Sequence, residues 1–132
     1  MRANTPVPVF WPTETMPRRW GWWKVLEKGK LDRGDEYKIK MLRIDSGKSI
    51  SLQYHDNRDE YWIIMQGVAD TRVGDHPVCM PLVPGDIMRV PRGELHKITN
   101  TGVSDLIILE LQMGPECDEE DITRLEKIDG EG

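Results

Sequence analysis

The run Gly47-Lys48-Ser49-Ile50-Ser51-Leu52-Gln53-Tyr54-His55-Asp56-Asn57-Arg58-Asp59-Glu60, closed by Gly67, decides how this chain is read. On an extended strand Gln53 and His55 are two residues apart, so both side chains point to one face. Asp56-Asn57-Arg58-Asp59 reads as a turn, and Glu60 opens the next strand. A second stretch, Gly85-Asp86 through Pro91-Arg92-Gly93-Glu94-Leu95-His96 to Asn100, uses a Pro/Gly turn to set His96 at the start of a strand. An amide oxygen, two imidazoles and a carboxylate make a two-nitrogen, two-oxygen donor set. Such a set suits zinc, iron, manganese, cobalt or nickel and leaves coordination positions open for a substrate oxygen. The third histidine, His76, lies in Gly74-Asp75-His76-Pro77 and reads as a hairpin residue.

Outward from this pair of stretches the pattern is one of short strands. Candidates are 22–28, 36–45, 49–55, 60–67, 68–73, 86–90, 95–100 and 106–113, separated by turns such as Ser46-Gly47-Lys48 and Val83-Pro84-Gly85-Asp86. Tyr37, Ile39 and Met41 alternate with Lys38 and Lys40, the period-two signature of a half-buried strand. This predicts an all-β sandwich or barrel. Residues 1–17 carry Pro6, Pro8, Pro12 and Pro17, which exclude a regular helix and disfavour a central strand. They read as an extended arm, followed by a single domain over 18–132. Asp118 as N-cap, Glu119, Glu120 and Asp121 in a first turn, and the apolar pair Ile122 and Leu125 predict a short C-terminal helix.

At 132 residues the chain fits one domain with a sizeable core. With 18 Lys+Arg against 23 Asp+Glu its formal net charge is −5, which argues against nucleic acid as the main partner. No apolar run is long enough to span a membrane, and Met1–Pro6 lacks the apolar core of a signal peptide. Cys79 and Cys117 form neither a disulfide framework nor a zinc spacing, and read as packing residues in a reducing, cytoplasmic compartment.

The two stretches resemble the paired motifs of the cupin superfamily. Gly47, Gln53, His55, Glu60 and Gly67 follow the spacing of its first motif, with Gln53 in place of the first histidine. Gly85, Pro91, Gly93, His96 and Asn100 match every position of its second. The resemblance implies a double-stranded β-helix, or jelly-roll barrel. Ser51-Leu52-Gln53-Tyr54-His55 with Arg58, Glu60 and Trp62 is more narrowly similar to the cupin domain of type II phosphomannose isomerases. Arg18-Arg19-Trp20-Gly21-Trp22-Trp23, Tyr37-Lys38-Ile39-Lys40 and Glu119-Glu120-Asp121-Ile122-Thr123-Arg124 agree with it. Three positions depart from that family's pattern: Asn57 and Tyr61 each stand where it has His, and Arg19 where it has Pro.

The resemblance implies Gln53, His55, Glu60 and His96 as ligands of one divalent ion, zinc before Mn, Co, Ni or Fe. It implies isomerisation of mannose 6-phosphate and fructose 6-phosphate through an enediol(ate). Arg58 leads the candidate cations for the phosphate, Lys97 and Arg18 come next, and Lys38, Lys40 and Arg124 follow; Glu94, Lys97 and a metal-bound hydroxide are the candidate proton-transfer groups. Cupins commonly dimerise, so a homodimer is expected. The guanylyltransferase half of the bifunctional relatives is absent from this sequence, so a separate guanylyltransferase is a candidate partner. Two other classes stay open: a non-catalytic cupin that binds a sugar or nucleotide sugar, and an iron-dependent dioxygenase.

Overall fold

The computed structural model describes residues 14–74 and 80–126. His76 and Cys79, and most of the Pro-rich arm, lie outside the described residues. Among the described residues eleven strands follow in chain order: β1 Met16–Arg18, β2 Gly21–Lys30, β3 Glu36–Ile44, β4 Gln53–Tyr54, β5 Asp59–Gln66, β6 Ala69–Val73, β7 Met80–Leu82, β8 Ile87–Val90, β9 His96–Asn100, β10 Leu106–Gly114 and β11 Thr123–Arg124. They form a six-stranded sheet in the order β1-β2-β3-β10-β5-β8 and a five-stranded sheet in the order β11-β4-β9-β6-β7. Every described pairing is antiparallel. Pro17 sits in β1, at the edge of its sheet, where a missing N–H costs no ladder bond.

The inward positions of the long strands change character along their length. In register across β3 and β10, Ile44 faces Leu106, Leu42 faces Ile108, Lys40 faces Glu110 and Lys38 faces Gln112. Across β10 and β5, Ile108 faces Ile64, Glu110 faces Trp62 and Gln112 faces Glu60. One end of the barrel is therefore filled by Ile44, Ile64, Ile98, Leu106 and Ile108, all essentially inaccessible to water. Each such side chain contributes about 1.5–3 kcal/mol of burial free energy. Asn100 closes that end: its Nδ2 donates to the carbonyls of Ile44 and Ser104, both at 2.8 Å, and its Oδ1 accepts from Gly102 N. The other end is buried but polar, and the candidate site lies there.

The structure settles the facing of β3 and corrects one expectation. Lys38 and Lys40, at 8% and 6% exposure, face into the barrel, while Tyr37, Ile39 and Met41 take the outer face. Alternation reveals that two faces differ but not which of them is inside. The predicted C-terminal helix does not form, and the described residues contain no α-helix. Asp118 does begin a turn, its Oδ1 accepting from Glu120 N and its carbonyl from Asp121 N. The chain then leaves the turn because longer-range bonds hold it: Asp121 binds the 56–57 backbone, Leu125 N donates to Leu52 O, and β11 pairs with β4.

Candidate metal centre and its cavity

The polar end collects three of the four expected donors. His55 follows β4, Glu60 is the second residue of β5 and His96 is the first of β9. All three side chains are at most 3% exposed. His55 Nε2 is 3.2 Å from Glu60 Oε2 and 3.2 Å from His96 Nε2, and His96 Nε2 is 3.6 Å from Glu60 Oε1. One ligand atom from each lies within 4.8 Å of the others, a grouping that can hold a metal ion. Gln53 lies directly across from His96 in the β4–β9 pair and lines the same cavity as His55 and Glu60. Its Oε1 is 3.4 Å from Ser51 Oγ.

The hydrogen bonds around the histidines fix their tautomers. His55 Nδ1 is 2.7 Å from the carbonyl of Asp121, and His96 Nδ1 is 3.0 Å from the carbonyl of Glu94. A carbonyl only accepts, so each Nδ1 carries a proton and each Nε2 is the ring atom turned to the centre. The two Nε2 atoms thus face each other beside a carboxylate. Among the described residues, Glu60 Oε1 is buried with no hydrogen-bond partner. Imidazoles oriented through Nδ1, with Nε2 facing this carboxylate oxygen, fit a bound cation, which the ring nitrogens and the carboxylate would hold together.

The charges agree with this fit. Burial, then the charges of Arg58 and His96, push the His55 imidazole down to about 3, so it is neutral at physiological pH. Burial pushes the Glu60 carboxyl up, but His96 and Arg58 outweigh it and hold the group ionised. Glu110 moves the other way, raised by its own burial and by the negative charge of Glu60. Its oxygens accept from Trp62 Nε1 at 3.0 Å and Gln112 Nε2 at 3.1 Å.

Arg58, expected to meet substrate, is committed to the site's framework. Its Nε donates to Glu60 Oε2 at 2.9 Å, its Nη1 to the Asp118 carbonyl at 2.8 Å, and its side chain is 3% exposed. Arg18 lines the cavity rim with Trp20 and Trp23. Lys97 and Glu94 are not brought to the centre. Strand alternation turns Lys97 away from His96 and onto Glu126. Glu94 is exposed, with its carboxylate against Gly74; its contribution to the centre is its backbone carbonyl. Tyr61 alternates to the outer face, as strand period predicts.

The cavity has a volume of about 420 Å³, ordinary for a small-molecule site. Its walls include Lys40, Glu110, Glu119, Ile122 and Arg124, of which only Lys40 and Arg124 stood among the lesser phosphate candidates. The last three belong to the C-terminal segment. Asp121 secures that segment by accepting from the backbone N–H groups of Asp56 and Asn57, both at 2.9 Å. A period-two reading of 106–113 would have found Glu110 and Gln112 on one face with Leu106 and Ile108. No local signal marked Glu119 or Ile122, because they act through contacts across the chain.

Close backbone approach fixes the loop that carries the ligands. A Cβ at Gly114 would lie 2.1 Å from the Asn57 carbonyl oxygen and 2.7 Å from Arg58 Cα. Both are backbone atoms that no rotamer change can move. Gly114→Ala is therefore expected to lower stability in urea titration by about 3 kcal/mol. It is also expected to weaken cation binding, since relief requires shifting the 55–60 loop.

Among the described residues, no helix is long and apolar enough to cross a membrane. Residues 12–127 match the family model described as mannose-6-phosphate isomerase C-terminal. The xanthan biosynthesis protein XanB of Xanthomonas campestris pv. campestris is 32% identical over 100 residues, 76% of this chain and 21% of that protein. A putative mannose-1-phosphate guanylyltransferase of Vibrio cholerae is 32% identical over 110 residues, 83% of this chain and 22% of that protein. The chain spans about a fifth of the length of these curated relatives. A solved Klebsiella pneumoniae protein with a double-stranded β-helix domain superposes with a TM-score of 0.65 at 17% identity, covering 92% of this chain and 90% of that one. The expected cupin fold, two antiparallel sheets closed around one core, is the fold observed.

Proposed function

Because the chain belongs to the mannose-6-phosphate isomerase C-terminal family, we propose that it is a metal-dependent isomerase interconverting mannose 6-phosphate and fructose 6-phosphate. The observation that carries this reading is the pair of facing Nε2 atoms beside the buried Glu60 oxygen, converging at a cavity that cations also line. In this reading His55, Glu60 and His96, with Gln53 beside them, hold one divalent ion, and their nitrogen and oxygen donors favour zinc. When bound, the ion supplies a Lewis acid for the sugar's carbonyl and developing enediolate oxygens. The chain's residues do the rest. Arg58 keeps Glu60 ionised and aimed, the Asp121 and Glu94 carbonyls keep both imidazoles in the ligating tautomer, and Trp20 and Trp23 wall off water beside the rim. Since Lys97 and Glu94 face away, the cavity's own carboxyls, Glu110 among them, replace them as candidates for moving the proton between C1 and C2.

The test is an NMR time course of mannose 6-phosphate in D₂O. We expect conversion to fructose 6-phosphate with deuterium at C2, lost on chelation and restored by zinc. No conversion and no exchange with Zn, Mn, Co or Ni would sink the isomerase. That result would favour a second reading, a sugar-phosphate-binding module acting beside a separate guanylyltransferase. The guanylyltransferase naming of the longer relatives supports that second reading. The half-buried apolar residues Ile39, Met41, Ile63, Leu109 and Leu111 on the outer sheet face support a homodimer, which sedimentation would check.

A further inference from the structure

Two lysines point into the barrel, and nothing in the reaction above uses them. Lys38 and Lys40 are two apart on β3, with side chains 11% and 7% exposed. A single carboxylate serves both: Glu119 Oε2 accepts from Lys38 Nζ at 3.0 Å, and Glu119 Oε1 accepts from Lys40 Nζ at 2.9 Å. Lys40 Nζ also sits 3.9 Å over the Trp23 ring and 3.9 Å from Glu110 Oε1, the latter beyond a hydrogen bond. Glu119 stands at a boundary. It lines the cavity of the candidate metal centre together with Lys40, and it lines a neighbouring cavity of about 640 Å³ together with Lys38.

Two features make this arrangement a receptor rather than a simple ion pair. The lysines are held in the sheet and largely buried, whereas the Glu119 side chain is 37% exposed and rides on a segment outside any regular strand. The anion is therefore the partner that can leave. The hydrogen bonding is also unequal, with two ammoniums sharing the oxygens of one carboxylate and Glu110 standing beyond hydrogen-bond distance of Lys40. An exogenous dianion with two oxygens to spare would match the pair better than Glu119 does, and buried ammoniums favour full compensation.

We propose that Lys38 and Lys40 are the receptor for the phosphate dianion of the ligand, and that Glu119 occupies this receptor until a phosphate monoester displaces it. The proposal rests on the sugar-phosphate reading of the cavity and assigns the phosphate to these lysines instead of Arg58 or Lys97. Lys40 lines the same cavity as His55 and Glu60, so a phosphate anchored there holds the rest of the sugar in the chamber of the candidate metal centre.

The experiment is calorimetric titration of the zinc-loaded full chain with inorganic phosphate, mannose 6-phosphate and mannose. Lys40→Met is expected to weaken mannose 6-phosphate and inorganic phosphate by about tenfold or more and to leave mannose unchanged. Glu119→Gln is expected to tighten both phosphates about fivefold, because the internal competitor is gone. That gain should vanish in the Lys40→Met background. A purely structural Glu119 would give the opposite sign, so unchanged or weaker binding by Glu119→Gln overturns the proposal. Equal affinity for mannose and mannose 6-phosphate also overturns it. Should Lys40→Met fail to fold, Lys38→Met with Glu119→Gln decides by the same signs. No turnover is read, so an inactive protein that binds phosphate through these lysines would sink the isomerase and leave the receptor standing.

Discussion

His96→Ala is expected to weaken divalent-cation binding by at least about 100-fold, more than loss of an outer hydrogen-bonding partner usually costs. His96 is 1% exposed, stacks edge-on against Trp62 with ring centroids 5.5 Å apart, and supplies one of the two facing Nε2 atoms. Its removal opens a cavity, which alone destabilises. The distinguishing measurement is thermal unfolding with and without zinc. An ion that binds only the folded chain raises the parent's midpoint. The variant is expected to lose that rise, with isomerase turnover lost in parallel. A variant that zinc stabilises as much as the parent would remove His96 from the ligand set.

Arg58→Met is expected to cost the most folding stability of any single side-chain change at the site, about 3–5 kcal/mol in urea titration. The guanidinium satisfies the Glu60 carboxylate and the Asp118 carbonyl in a buried setting. Without it, Glu60 keeps its charge with only His96 beside it to compensate, or takes up a proton. The double variant Arg58→Met/Glu60→Gln is expected to recover part of the loss, because an uncompensated buried charge costs more than an absent pair. No recovery would mean that Arg58 acts mainly through Asp118 and the C-terminal wall.

The centre itself was legible because its residues come in two compact stretches. Gln53, His55 and Glu60 share one stretch, His96 lies in another, and turn chemistry fixes each on a short strand. The β architecture was legible from the same turns. The facing of β3 was not. Its apolar and basic positions alternate equally well either way, and the outer face of this sheet is itself apolar. The C-terminal segment misled for a related reason. Asp118 and the acidic residues after it satisfy the local rules for a helix start, and one turn does form. Which structure follows is settled by Asp56, Asn57, Leu52 and the two lysines, some 60 to 80 residues earlier in sequence. Arg58 was singled out because it sits between two ligands and matches an arginine of the resembled family; what that position alone did not show is that its guanidinium is bonded to Glu60 and to the Asp118 carbonyl.

The same wall has a consequence for how the molecule comes into being. Lys38 meets Glu119 across 81 positions, and Cys117 N meets the Glu36 carboxylate across the same span. Such closures raise contact order and slow the search for the native state. During synthesis, His55, Glu60 and His96 all leave the ribosome before the segment that orients His55, anchors Arg58 and neutralises the lysines. A nascent chain halted short of Asp118 therefore holds His96 with its orienting carbonyl, but His55 and Arg58 without theirs. The polar end of the barrel takes its final wall only when β11 reaches β4.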